Sequence, residues 1–363
     1  MQATTPDWTN IGAVPLTPRG TPVIVWTGRE VLVVGGRDSR SEPSLPLRDG
    51  AAYDAGTGKW RRIADLPTDP PLFNPAAVWT GDHLLLVGSS CRNLASQETP
   101  EFDECAPGPR EAVRYDPRAD RWSRLKLPDA LDVLDPAYVS AVGGARGRAI
   151  FKVPESRAGR GQSYWSVADD EWTKLPDPPI APDAQCIAAG RLVVVAYEDL
   201  ASASEFTPGQ NFSGPPPPDP QSAHRRASSI DLDGGRWTVP SSPEGPDPVS
   251  IVLNVVCAGD EVMTLPSRRS EGAIGRYQPG EQSWGESTSP PQDIGARPLA
   301  VWSAGKLFVF DGRSLVYDQA NNTWVGAPAP EGQLYAAVDV GDRVLLQSVD
   351  PQTRKLWLRT YPT

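Results

Sequence analysis

The chain has 363 residues and a formal net charge of −10. That length suits one large repeat array, and the acidity argues against nucleic acid as a partner, because phosphate neutralisation needs a basic face. No run of about 18 apolar residues is present, so no membrane span is expected. Forty prolines and 33 glycines point to many short strands joined by turns, and 12 tryptophans with 39% hydrophobic content argue for a packed core over disorder.

The opening residues, MQATTPDWTN, show no basic and apolar leader pattern, so no signal peptide is expected in this chain. From residue 22 the apolar runs come in pairs. PVIVWTGREVLVVGG (22–36), PAAVWTGDHLLLVGS (75–89), AQCIAAGRLVVVAY (184–197), LNVVCAGDEVMTL (253–265) and PLAVWSAGKLFVF (298–310) each read as strand, tight turn, strand. A second hairpin of fixed spacing follows each of these five pairs and occurs once more, at 160–172. The copies are RDGAAYDAGTGKW (48–60), REAVRYDPRADRW (110–122), RGQSYWSVADDEW (160–172), RRASSIDLDGGRW (225–237), GAIGRYQPGEQSW (272–284) and GRSLVYDQANNTW (312–324). Seven positions before each tryptophan stands a large apolar or aromatic residue: Tyr53, Tyr115, Trp165, Ile230, Tyr277 and Tyr317. The aspartate after it (Asp54, Asp116, Asp231, Asp318) is suited to start the turn, since a short carboxylate bonds backbone two residues on. The tryptophan opens the return strand and offers a large apolar surface to a neighbouring unit. Each unit is therefore four strands, about 40–65 residues long.

The combination VWTGREVLVVGG, GAAYDAGTGKW and ADLP resembles the kelch repeat: a strand ending in double glycine, a Tyr–Asp strand, and a tryptophan followed by proline. Only the first unit keeps the double glycine, Gly35 and Gly36. The resemblance is to a degenerate, bacterial-type kelch array of the galactose oxidase-like central-domain superfamily, and it implies an all-β, seven-bladed β-propeller. Blades are expected at about 22–71, 72–131, 132–179, 180–247, 248–293 and 294–330. The last blade would combine 331–363, which lacks a return strand, with 5–18, where Trp8 followed by Ala-Val-Pro matches a return strand alone. Six blades with an irregular end is the alternative.

Of the four cysteines, Cys91 and Cys105 are expected to close a polar loop. Cys186 and Cys257 fall in two similar strands and could pair across units or stay buried thiols. Disulfides favour an exported, extracellular or cell-surface protein.

The long insertions all fall between second and third strands, at one end of the blades: 37–49, the Cys91–Cys105 loop, and 198–226 with its four consecutive prolines. Arg48, Arg110, Arg160 and Arg225 each stand twelve before their tryptophan, and Arg313 is one place off. Together they would set guanidinium groups around one mouth, able to hold an anionic ligand. The competing reading is that each bridges to a nearby acid such as Asp49, Glu111 or Asp247. The expected role is a monomeric binding module for a protein or glycan ligand, with no cofactor. The alternative is an enzyme of mutarotase or epimerase kind acting on an acidic sugar, with a carboxylate such as Asp135, Asp183 or Asp247 as base. The sequence has no GxSxG, HExxH or CxxC motif, and its two histidines, His83 and His224, fall in different parts of a unit, so no metal site is expected.

Overall fold

The computed structural model describes residues 8–12, 14–40, 45–94, 105–131, 139–154, 162–199, 223–242, 254–265, 274–291, 294, 298–310, 314–328, 333–349 and 356–363. All regular structure among them is β. Seven antiparallel sheets are the blades of a β-propeller fold. The chain divides into two compact units: Met1–Leu175 with Pro328–Thr363, and Pro176–Ala327. The first holds blades 1, 2, 3 and 7, and the second holds blades 4, 5 and 6.

Blade 1 shows how the sequence makes a sheet. Val23–Trp26 pairs with Glu30–Val34, which pairs with Gly50–Asp54, which pairs with Lys59–Ile63. The Asp54 carboxylate accepts the Thr57 amide at 2.8 Å, and Gly58, at φ 69°, turns the chain back. Asp116 and Asp318 each accept two turn amides in the same way, and the last turn residue is again left-handed at Asp120 and Asn322. The tyrosine then faces its tryptophan across the hairpin, with ring centroids 4.9–5.2 Å apart in Tyr53–Trp60, Tyr115–Trp122, Tyr277–Trp284 and Tyr317–Trp324.

These turn bonds hold carboxyls below their ordinary range. Backbone amides do this chiefly at Asp54 (Thr57) and Asp116 (Arg118), and the Asn321 side chain does it at Asp318. A carboxyl whose folded pKa is depressed contributes stability that is present above its unfolded pKa and lost as pH falls through the folded one. The melting temperature should therefore hold from neutrality to about pH 5 and fall below about pH 4. In an Asp54→Asn, Asp116→Asn, Asp318→Asn variant, scanning fluorimetry should show a shallower acid limb; an identical limb would remove these turns from the acid response.

Blade 3 departs from the spacing. Trp172 pairs with Val167, not Trp165, because Asp169 and Asp170, both at positive φ (49° and 66°), form a two-residue turn. Two consecutive left-handed residues define the hairpin turn whose twist matches the strands. Trp165 instead packs with Leu131 and Val153. In blade 4 the three strands Ala184–Ala188, Arg191–Asp199 and Ala223–Asp231 are followed by a segment bonded at Thr238 and through an Ala227–Ser241 bridge, which takes the fourth position.

The core lies between neighbouring blades. Leu32, Val34 and Ala52 of blade 1 meet Leu84, Leu86 and Tyr115 of blade 2. Ala76, Val78 and Leu85 meet Ala149 and Phe151 of blade 3. In the second unit, Val193, Val195 and Ala227 meet Val262 and Tyr277, and Met263 and Leu265 meet Leu307 and Val309. The fourth-position tryptophans add a polar tie: Trp122 donates to the Ala64 carbonyl, Trp284 to Ser241 and Trp237 to Pro176. The inner strands of blades 2 and 3 approach so closely at Gly144 that a β-carbon there would overlap the Trp79 carbonyl. Gly144→Ala should cost about 2 kcal/mol, as overpacking does, and urea denaturation reads this directly.

Blade 7 is assembled from both chain ends. Gln333–Asp339, Arg343–Val349 and Leu356–Pro362 are completed by Thr9–Asn10, which pairs with Thr360 and Arg359. Trp8 and Tyr361 restore the aromatic pair at 5.0 Å, and the Trp8 indole donates to Pro328.

Candidate functional site

Because the strands are antiparallel, the start of each first strand lies beside the end of the second. Val23 pairs with Val34, so the blade 1 loop from Gly35 to Asp49 leaves at the end where the first strand begins. In the first unit this end is ordered around Arg19, which is fully buried. Its guanidinium binds both carboxylate oxygens of Asp49 at 2.8 and 3.0 Å, and also the Gly35 and Thr17 carbonyls. Arg19–Gly20 pairs with Arg37–Asp38, so the segment after the closing strand is stitched to the blade 1 loop. Gly36 packs so tightly on Gly20 and Pro22 that only glycine fits, at φ 89°. Arg40 binds Asp38 and draws its carboxyl down to about 2.

Adjoining this layer at Pro22 is a pocket of about 310 Å³, lined by Thr21, Pro22, Val23, Ile24, Val25, Asn74, Pro75 and Ala77. Thr21 and Asn74 each precede a proline, Thr21 just ahead of the first strand of blade 1 and Asn74 within that of blade 2, Leu72–Trp79, and both are left-handed at φ 44° and 41°. Such a backbone is strained for a β-branched residue. The Thr21 hydroxyl donates to the Asn74 side-chain oxygen at 3.3 Å. A register shift between Phe73 and Ala76 marks a bulge at Asn74–Pro75, a device that re-aims side chains beside sites. Arg37 lies over the Phe73 ring at 5.2 Å.

The arginines singled out by spacing have separate fates. Arg48 is exposed. Arg110 is buried, and its guanidinium donates to the Leu131 carbonyl at 2.9 Å. Arg225 is buried too, bonded to the Thr264 hydroxyl at 2.6 Å, stacked on Trp284 at 5.4 Å, and set against Gly275, where a β-carbon would overlap it. Arg160 and Arg313 lie outside the described residues. Of the acids named as bridges, Asp49 holds Arg19 and, at 3.5 Å, Arg62, while Glu111 pairs with Arg124. Asp135 and Asp247 lie outside the described residues; Asp183 is exposed just before blade 4. His83 sits in the blade 2 turn beside Asp82. The His224 side chain lies outside the described residues. Among the described residues no three His, Cys, Asp or Glu side chains gather as a metal site, and no helix is long and apolar enough to cross a membrane.

Spacing did not single out Arg19, Thr21 or Asn74. A signal for the last two exists: TPVIVWTG (21–28) and NPAAVWTG (74–81) align residue for residue, with a short polar residue before the proline. Arg19 has no equivalent, because it sits in the connector outside the repeats.

In the second unit Cys186 and Cys257 form a disulfide, joining the inner strands of blades 4 and 5, with Cys186 buried and Cys257 exposed. It closes a separation of 71 residues, worth about 4 kcal/mol in the chain-entropy model. A Cys186→Ser, Cys257→Ser variant should lose that much stability in urea; a loss under 1 kcal/mol would show that packing alone holds the two strands. The Cys91 and Cys105 side chains lie outside the described residues, though their backbones belong to the paired second and third strands of blade 2.

No protein-family model matches the chain, and no curated protein matches it. A chain in a solved structure titled "Crystal Structure of Mitotic Checkpoint Complex" is similar, with a TM-score of 0.54 and 8% identity, over 99% of this chain and 92% of that one. At that identity the likeness shows the fold alone, a β-propeller.

Proposed function

We propose that the protein is a secreted, kelch-like binding module that engages a protein partner through the loop-bearing end of its first unit. The observation that carries this reading is the pocket at that end, framed by the strained Thr21 and the left-handed Asn74 and adjoining the Arg19–Asp49 layer through Pro22. Strained backbone persists where the surroundings over-determine it, and it gathers at ligand clamps. The exposed Arg48 in the blade 1 loop gives a partner carboxylate a place to bind. The solved neighbour comes from a structure titled as a complex, in keeping with a protein partner. The Tyr–Trp hairpins and the Gly35–Gly36 pair support the kelch-like reading. The Cys186–Cys257 bond supports an oxidising compartment.

The test is selection of displayed random peptides and small domains on the immobilised protein, followed by rebinding to Asn74→Ala and Arg48→Glu variants. Binders that lose at least tenfold in affinity on either variant support the reading. Binders indifferent to both place the interaction elsewhere and overturn it.

A further inference from the structure

Blade 1's first strand is a sheet edge: Val23–Trp26 pairs with Glu30–Val34 on one side only. Among the described residues, the backbone groups of Val23, Ile24 and Val25 make no hydrogen bond beyond that ladder. Successive strand residues point to opposite faces, yet the pocket touches all three in a row, so it lies along the edge itself. Across from it stand Asn74 and Pro75, which the blade 2 bulge carries out of register, and Ala77, which pairs with Leu86. An open edge beside a pocket is a template for one more strand.

The lining decides what kind of strand. Among the described residues it contains no ionisable side chain, although the chain as a whole carries a net charge of −10. A charged segment would find no countercharge there, and an uncharged one loses nothing. Pro22 and Pro75, with the surface that the core-packed Val23, Val25 and Ala77 leave uncovered, suit small apolar side chains. Asn74 is exposed, and its side-chain oxygen is taken by Thr21. Its amide nitrogen donates to none of the described residues, which leaves it for a carbonyl of the incoming segment.

We infer that the partner contributes an extended, uncharged peptide segment, which adds as a strand to the Val23–Val25 edge and is anchored at the mouth by the Asn74 amide. This rests on the reading of the protein as a partner-binding module and names the chemistry recognised there. At about 310 Å³ the pocket is near the lower end of ligand sites, room for a short stretch of chain and no more.

The probe is a set of capped, fluorescently labelled hexapeptides alternating valine or alanine with threonine or serine, read by fluorescence polarisation. Each is made in three forms: unmodified, and N-methylated at odd or at even positions. In strand addition only alternate residues bond the edge, so one N-methylated form should lose at least tenfold in affinity and the other should not. Glutamate in place of threonine should weaken binding. Ala77→Phe, which fills the pocket, should weaken it at least tenfold, and Asn74→Ala, at an exposed position, should weaken it three- to tenfold. Equal tolerance of both N-methylated forms, or binding untouched by Asn74→Ala, would overturn strand addition. If no hexapeptide binds while the selected binders still require Asn74 or Arg48, the module reading stands and the strand falls. If neither class binds, both fall.

Discussion

Deleting residues 1–16 should lower the unfolding free energy by about 5 kcal/mol. The segment carries Trp8, which stacks on Tyr361 and donates to Pro328, and the strand Thr9–Asn10, which is the outer strand of blade 7. Ile11, Val14 and Leu16 pack against Val31, Val33 and Leu358. Full burial of such side chains is worth about 1.5–3 kcal/mol each, and these are half-buried, so the total is a fraction of the full sum. For a chain of this size, about 5 kcal/mol corresponds to roughly 7 °C in melting temperature. The deletion also opens the edge of Leu356–Pro362, so the variant should aggregate on heating sooner than its stability loss alone explains. A melting temperature unchanged within a degree would mean that the C-terminal sheet does not need its fourth strand.

The second large effect is expected at Asp49. Asp49→Ala leaves the Arg19 guanidinium fully buried, still bonded to the Thr17 and Gly35 carbonyls but without a countercharge. Breaking a buried pair by removing one partner costs about 3–5 kcal/mol. Asp49 keeps some contact with solvent, which places the expectation at the lower end. Replacing both partners with apolar residues of similar size, Arg19→Met with Asp49→Leu, should recover most of the loss. Urea denaturation of the two single variants and the double gives the coupling directly. If Asp49→Ala costs less than 1 kcal/mol, Arg19 is held by its carbonyl bonds alone. The same variant should reduce partner binding if the Arg19 layer supports the pocket, which gives the experiment a second readout.

Much of this architecture is legible in the amino-acid sequence alone. A hairpin is a local object: Asp54, Asp116 and Asp318 start their turns through their own side chains, and Tyr and Trp seven apart must meet across a four-residue loop. The missing return strand of the tail and the lone one at Trp8 are also visible, because a repeat makes its own gaps visible. Blade 3 misleads the spacing rule because its turn is two residues shorter, so Trp165 is read in the wrong register while Trp172 is not.

The site is legible only in outline. Spacing locates the loop-bearing end and the arginines that approach it, but not which way each guanidinium turns. Arg110 and Arg225 are drawn inward by a turn carbonyl and by a threonine–tryptophan nest outside their own strands, while Arg48 stays in solvent. The sequence by itself determined the four-strand unit, the turns of blades 1, 2 and 6, the repeat and the closing strand, since each depends on residues within about a dozen positions of one another or on comparison between repeats. Only the tertiary structure decided the Arg19–Asp49 pair, the Cys186–Cys257 bond and the Thr21–Asn74 pocket. Those join residues 30, 71 and 53 positions apart. Their meeting is fixed by how neighbouring sheets pack, which no local propensity encodes.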